Sequence, residues 1–195
     1  MTKRITIIQG HPDPDTGHFC HALAAAYDRG AVAAGHEVRR INVAELNFPL
    51  LRTGLDFNDG TPPSDILAAQ DKIAWAERLL IVYPLWLVSM PALLKGFFEQ
   101  CFRPGFAFSG PAFQKGWKQS LSGRSARIVV TMGMPVLVFR MFYLSHSLKS
   151  LERNILKFCG IGPIRETLIG GIDASGDAKR QPWLRDLAAK GAAAR

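Results

Sequence analysis

Three segments carry the residues best suited to chemistry: GHPDPDTGHF (residues 10–19), YPLWLVSMP (83–91) and TMGMPVLVF (131–139). The first places His11, Thr16 and His18 among glycine, proline and aspartate, just ahead of an alanine-rich run. Backbone N–H groups at a helix start seat a phosphate, and Thr16 would add a hydroxyl and His11 or His18 a donor. Asp13 and Asp15 would repel such an anion and are expected to point outward. Ordinary helix capping, with Thr16 as the N-cap, accounts for the same residues equally well. Neither G-x-G-x-x-G nor a lysine-containing phosphate loop is present, which weighs against a dinucleotide fold and a nucleotide hydrolase.

The second segment sets Pro84, Leu85, Trp86, Leu87 and Val88 directly after an apolar run. A flat aromatic ligand needs a planar apolar wall and fixed backbone groups along its edge. Proline stiffens such a wall and Trp86 would cover it; plain core packing is the alternative. The third segment offers the Thr131 hydroxyl and the backbone of Met132 and Gly133, followed by Phe139, Tyr143 and His146. Tyr143 and His146 have the chemistry to donate a proton or polarise a carbonyl, although a lone His or Tyr on a helix is more often structural.

The elements that would position these loops alternate. KRITIIQG reads as a strand, and HFCHALAAAYDRGAVAAG as a helix closed at Gly35. HEVRRINVAEL reads as an amphipathic second strand near an edge. A loop from Asn47 to Pro63 leads to a helix capped by Ser64, and RLLIVY is the most apolar, hence central, strand. A helix from Pro91 carries Leu93, Leu94, Phe97, Phe98, Cys101 and Phe102 on one stripe. An aromatic loop spans 103–123, SARIVVTMG is a fourth strand, and a helix ends at Gly160. GPIRETLIG is a fifth strand and AKRQPWLRDLAAKGAA a closing helix. Five such strands predict one doubly wound α/β domain over residues 1–195, a parallel sheet of order 2-1-3-4-5 with helices on both faces. Ligands bind such sheets beyond the carboxyl ends of the strands, where the strand order switches. All three segments belong there.

The 195 residues, 48% apolar and 21% charged, are those of a globular chain able to bury a sizeable core. The apolar run is uncharged only from residue 79 to 94, shorter than the roughly 20 residues of a spanning helix, and is broken by Pro84 and Pro91. No membrane span and no export signal are read. Cys20, Cys101 and Cys159 are too scattered for a disulfide framework or a zinc site, so no metal is expected and a reducing cytoplasm is. The net charge of +8 comes from dispersed bases, with no tract that argues for nucleic acid.

YPLWLVSMPALLKGFFEQCFRPGFAF resembles the signature of the flavodoxin-like NAD(P)H:quinone oxidoreductases: an aromatic-Pro-Leu strand end, then M/V-P-A-x-L-K-G, then G-x-A-F/Y. His11, Pro12, Phe19, Ala22 and Leu23 approximate that family's opening, and FCGIGPIRETLIGGI its last strand. The resemblance covers residues 5 to about 172. It implies a flavodoxin-like fold and a tightly bound flavin, FAD or FMN. His11, Thr16, Phe19 and Cys20 would hold the phosphate and ribityl chain. Pro84, Leu85, Trp86, Leu87 and Val88, with Thr131, Met132 and Gly133, would hold the ring. Tyr143 and His146 match the family's Tyr and His only across a gap, with Phe139 competing for the tyrosine position.

The activity implied is two-electron transfer from NAD(P)H to a quinone or related acceptor, by a ping-pong mechanism in a homodimer. An azo- or nitro-compound reductase is an alternative, as is an ancillary flavoprotein docking a membrane transporter through PVLVFRMFYL.

Overall fold

The computed structural model describes residues 1–112, 114–174 and 176–195. Five strands form one parallel sheet: β1 (Arg4–Gln9), β2 (Glu37–Asn42), β3 (Arg78–Pro84), β6 (Ser125–Thr131) and β7 (Ile164–Ile169). Their order is β2-β1-β3-β6-β7, which is the expected 2-1-3-4-5. Two further strands, β4 (Phe108–Ser109) and β5 (Lys118–Gln119), pair as a small antiparallel ribbon inside the stretch expected to be loop.

Burial explains the order. Leu79 to Tyr83 of β3 and Ile128 to Val130 of β6 are almost wholly buried, because helices cover both faces of a central strand. β2 exposes Glu37, Arg39 and Arg40 and forms the edge, as its amphipathic pattern predicts. On one face, Ile5, Ile7, Leu80, Val82 and Val129 pack under α1 (Phe19–Ala33) and α7 (Asp177–Ala192). These two helices touch backbone to backbone. A Cβ on Gly30 would strike the Ala188 carbonyl, and one on Gly191 the Tyr27 carbonyl. On the other face lie α3 (Ser64–Trp75) and α4 (Ala92–Cys101), whose Ile66, Ile73, Leu94, Phe97 and Phe98 fill the larger core.

Several local expectations need correction. The N-cap of α1 is His18, with no side-chain cap bond, so Thr16 is not the cap. Ser64 is the first residue of α3 and Pro63 its N-cap; proline presets the backbone there and no hydroxyl is used. The second strand stops at Asn42 and a short 3-10 turn follows. The 47–63 loop contains α2 (Gly54–Asp59), whose Thr53 cap accepts from the Asp56 N–H at 3.0 Å. After β6 the helix is broken into α5 (Val136–Met141) and α6 (His146–Lys149), then a π-helical turn (Ser150–Leu156) and a 3-10 turn (Lys157–Cys159). The break falls at Leu144 and Ser145, both left-handed. Gly160, at φ +93°, ends the run as expected. Among the described residues no helix is long and apolar enough to cross a membrane.

Candidate functional site

The carboxyl ends of β1, β3 and β6 lie side by side, and hydrogen bonds tie the loops leaving them. The Gly10 N–H donates to the Val82 carbonyl at 2.7 Å, and the Leu85 N–H to the Thr131 carbonyl at 2.7 Å. Side chains complete the link. The Cys20 thiol lies 3.2 Å from the Thr131 hydroxyl, joining the first loop to the third. The His11 ring meets Trp86 edge-on with centroids 6.1 Å apart, joining the first to the second. The three segments singled out from the sequence thus meet at one place.

The first loop is organised around Asp13. Its carboxylate accepts the Asp15 N–H at 2.9 Å and the Nε2 proton of His18 at 2.9 Å, while Asp15 accepts the Gly17 N–H. Both aspartates stay exposed, as expected, while their carboxylates also bond to the loop's own N–H groups. Their hydrogen bonds hold Asp13 below the usual carboxylate range, the Asp15 N–H contributing most. His11 is 7% exposed and stacks on His18 with centroids 4.0 Å apart; His21 lies 5.6 Å from it. The Nδ1 of His11 lies 3.1 Å from the Asp13 amide nitrogen and 3.2 Å from the Asp13 carbonyl oxygen, which fixes the ring against the loop. Burial, then repulsion from His18, holds His11 below its ordinary pKa. His21 was not anticipated; its i+3 spacing from His18 across the helix start is the signal that places both on the loop.

Beneath the loop, Gln9 is buried. Its Oε1 accepts the His11 N–H at 3.1 Å, and its Nε2 has no partner. Phe19 opens α1 and is half-buried, Cys20 is buried, and Thr16 is exposed. The N–H groups of His18, Phe19 and Cys20 make no hydrogen bond among the described residues. Burial pushes the Cys20 thiol up to about 12, so it is a neutral packing and hydrogen-bonding group.

The second loop is a tight turn. Trp86 and Ser89 exchange backbone hydrogen bonds of 2.9 and 2.8 Å, and Leu87 and Val88 between them sit at φ +46° and +60°. A branched residue rarely adopts that conformation, and strain of this kind accumulates at ligand clamps. The turn presents Leu87 wholly to solvent and Trp86 at half exposure, while Leu85 and Val88 pack on the core. Among the described residues the Leu87 and Val88 N–H groups donate to no carbonyl, whereas that of Trp86 is committed to Ser89. Pro84 is buried as the last residue of β3, opposite Thr131. Beside the turn is a cavity of about 470 Å3 bounded by Trp86, Leu87, Met90, Lys95, Ser147 and Ser150.

In the third loop Thr131 and Met132 are buried and Gly133 is exposed. The end of the Asp173 side chain lies against the Gly133 backbone, where a Cβ would displace it. Tyr143 is half-buried, its ring against Phe142, and His146 is exposed at the start of α6. Among the described residues neither side chain hydrogen-bonds the three loops.

The family model described as flavodoxin-like fold matches residues 3–190. A Haemophilus influenzae protein named an uncharacterized NAD(P)H oxidoreductase is 29% identical over 189 residues, 94% of this chain and 91% of that protein. Among solved structures, an NAD(P)H:quinone oxidoreductase from Methanothermobacter marburgensis superposes with a TM-score of 0.80 at 20% identity, over 98% of this chain and 96% of that one. An FMN-dependent NADH-azoreductase from Bacillus anthracis, in complex with FMN, gives 0.75 at 15% identity, over 100% and 99%. By sheet order, by the meeting of the three loops and by the match over nearly its whole length, this chain belongs to the family of flavodoxin-like fold.

Proposed function

We propose that this protein, as a single domain, is a flavin-dependent NAD(P)H oxidoreductase that delivers two electrons to a quinone or related acceptor. The observation that carries the reading is the strained Trp86–Ser89 turn. It spends backbone strain to hold an exposed apolar surface and two unpaired N–H groups beside an open cavity. A flavin fits these groups. The unpaired N–H groups opening α1 suit its phosphate, and the orphaned Gln9 amide below them remains a donor in search of an acceptor.

A bound flavin would supply two-electron (hydride) chemistry between a reduced nicotinamide and the acceptor. His11 and the first-turn N–H groups of Phe19 and Cys20 would hold its phosphate and ribityl chain, with Thr16 at the rim. Leu85, Trp86, Leu87 and Val88, backed by Pro84, line the ring. The Leu87 and Val88 N–H groups stabilise negative charge along its edge. Thr131, Met132 and Gly133 close the other side. Trp86 and Leu87 exclude water from the cavity, which NAD(P)H and the acceptor occupy in turn, giving ping-pong kinetics. Tyr143 and His146 are the proposed proton donors, brought over the cavity by movement of the α5–α6 segment or from a partner subunit.

Leu137, Met141, Phe142 and Leu144 form an exposed apolar patch on that same segment, in keeping with a homodimer whose two sites lie at the interface.

Purified protein is expected to carry FMN or FAD, to bleach on addition of NADH or NADPH, and to regain colour on addition of a quinone. Mass spectrometry of the released cofactor separates FMN from FAD. A colourless protein that takes up neither flavin would sink the proposal. Bleaching without turnover on any quinone, but with turnover on azo or nitro compounds, would move the acceptor class and leave the site reading intact.

A further inference from the structure

At the opposite end of the sheet, the amino-terminal ends of β3, β6 and β7 meet α1 around a second cavity of about 110 Å3. Strand register puts the key side chains on one face. Arg78 pairs with Ser125 and Arg127 with Arg165, all on the side covered by α1 and α7. Arg78, Arg127, Arg165, Ser125 and the Tyr27 ring line the cavity, with Arg195 at its margin. No Asp or Glu side chain is among its lining residues, and the main-chain oxygen of Arg195 already meets Arg127. Glu77 pairs with Lys3 and Arg4, and Asp186 pairs with Lys190 while also attracting Arg127.

The interior groups are built in and left unsatisfied. Arg127 is 6% exposed; its Nε donates to the Arg195 carbonyl at 2.8 Å and its Nη1 to the Thr167 hydroxyl at 2.9 Å. Its second Nη makes no hydrogen bond among the described residues. Arg78 donates through Nη1 to the Ser125 hydroxyl at 2.9 Å, and its Nε is buried with no partner. Tyr27 is 2% exposed as a residue and its hydroxyl makes no hydrogen bond among the described residues; burial raises its pKa, and Arg127 and Arg78 pull it back. Arg165 makes no ion pair among the described residues. A folded chain rarely leaves a buried guanidinium nitrogen such as Arg78 Nε unpaired beside a concentration of positive charge. One anion would satisfy all of them.

We propose that this pocket binds a single tetrahedral oxyanion, a phosphate dianion either free or as the terminal group of a small monoester. The guanidiniums of Arg78 and Arg127 and the Tyr27 hydroxyl hold its inner oxygens, and Arg165 closes over the outer ones. Guanidinium forks suit phosphate because two parallel N–H donors meet two oxygens. The volume, at roughly 30 Å3 per water, is that of three or four water molecules, which admits one phosphate group and excludes a nucleoside. Binding ties α1 to three strands, so it raises the melting temperature by mass action. The site stands at the far end of the sheet from the three loops and does not depend on the flavin reading.

Isothermal titration with inorganic phosphate against sodium chloride of equal ionic strength tests the proposal, with flavin content recorded in every sample. The full-length wild-type chain is expected to show a saturable site. Arg165→Ala, which removes an exposed side chain, and Tyr27→Phe, which removes only the hydroxyl, are each expected to weaken it by about tenfold with flavin content unchanged. Phenyl phosphate binding as tightly as phosphate assigns the site to a monoester, and weaker binding assigns it to the free ion. Absence of saturable binding in the wild type, or phosphate binding undiminished in both variants, overturns the proposal. The latter result would place phosphate at the loops instead.

Discussion

The thiol of Cys20 faces the hydroxyl of Thr131 across 3.2 Å, a contact between residues 111 positions apart that locks the start of α1 to the end of β6. Because the two groups lie under the junction of the three loops, their chemistry bears on how that junction keeps its shape.

Cys20 is expected to be inert. Burial pushes its thiol up to about 12, and Cys101 and Cys159 are equally buried and raised. At pH 8 the native protein should react negligibly with Ellman's reagent, while the urea-unfolded chain titrates all three thiols. Rapid reaction of a native thiol would show that the loop junction opens.

Trp86 is half-exposed and forms the wall of the cavity, so its loss should affect ligand and not fold. Trp86→Ala is expected to weaken flavin binding by roughly three- to tenfold, the value of one aromatic stacking contact. Its unfolding free energy should stay within about 0.5 kcal/mol of wild type. Flavin fluorescence titration and urea melts give both numbers.

Leu87 is held at φ +46° with no burial in return. Leu87→Asn, which tolerates the left-handed region, should stabilise the chain by about 1 kcal/mol. At this length that raises the melting temperature by about 2–4 °C. Calorimetry reads it directly; an unchanged or lower melting temperature would show that the turn is not strained.

His11 gives the native state a pH dependence. Burial and the neighbouring His18 lower its pKa from the ordinary 6.5, so between the folded value and 6.5 the unfolded chain binds more protons. Its contribution to stability is complete above about pH 6.5 and is lost as pH falls below that. Urea midpoints should therefore drop from pH 7.5 to 5.5, and His11→Gln should flatten the slope. An identical slope in the variant would assign the pH dependence to other groups.

Much of the fold is legible in the chain. RLLIVY is apolar without alternation because both faces of β3 are covered, and HEVRRIN is largely polar because β2 is an edge. Such patterns record burial, and burial is what the sheet order distributes. The loops were legible for a related reason: doubly wound sheets gather the carboxyl ends of β1, β3 and β6 at one crevice. Less legible were caps and breaks. Thr16 and Ser64 have good capping chemistry, yet His18 and Pro63 are the N-caps and neither uses a side-chain bond, because the turn of the preceding loop sets where each helix begins.

By itself, then, the sequence determined the alternation of strand and helix, the central and edge strands, and the three segments at the switch in strand order. Those follow from periodicity, which is local. Tertiary structure alone decided that Asp13 bonds to its own loop and that His21 joins His11 and His18. It also decided that Val88 is forced left-handed, and that four arginines scattered from position 78 to 195 share one pocket. The +8 charge looked dispersed along the chain because register between parallel strands, which brings Arg127 beside Arg165, is a relation between segments that no single segment carries.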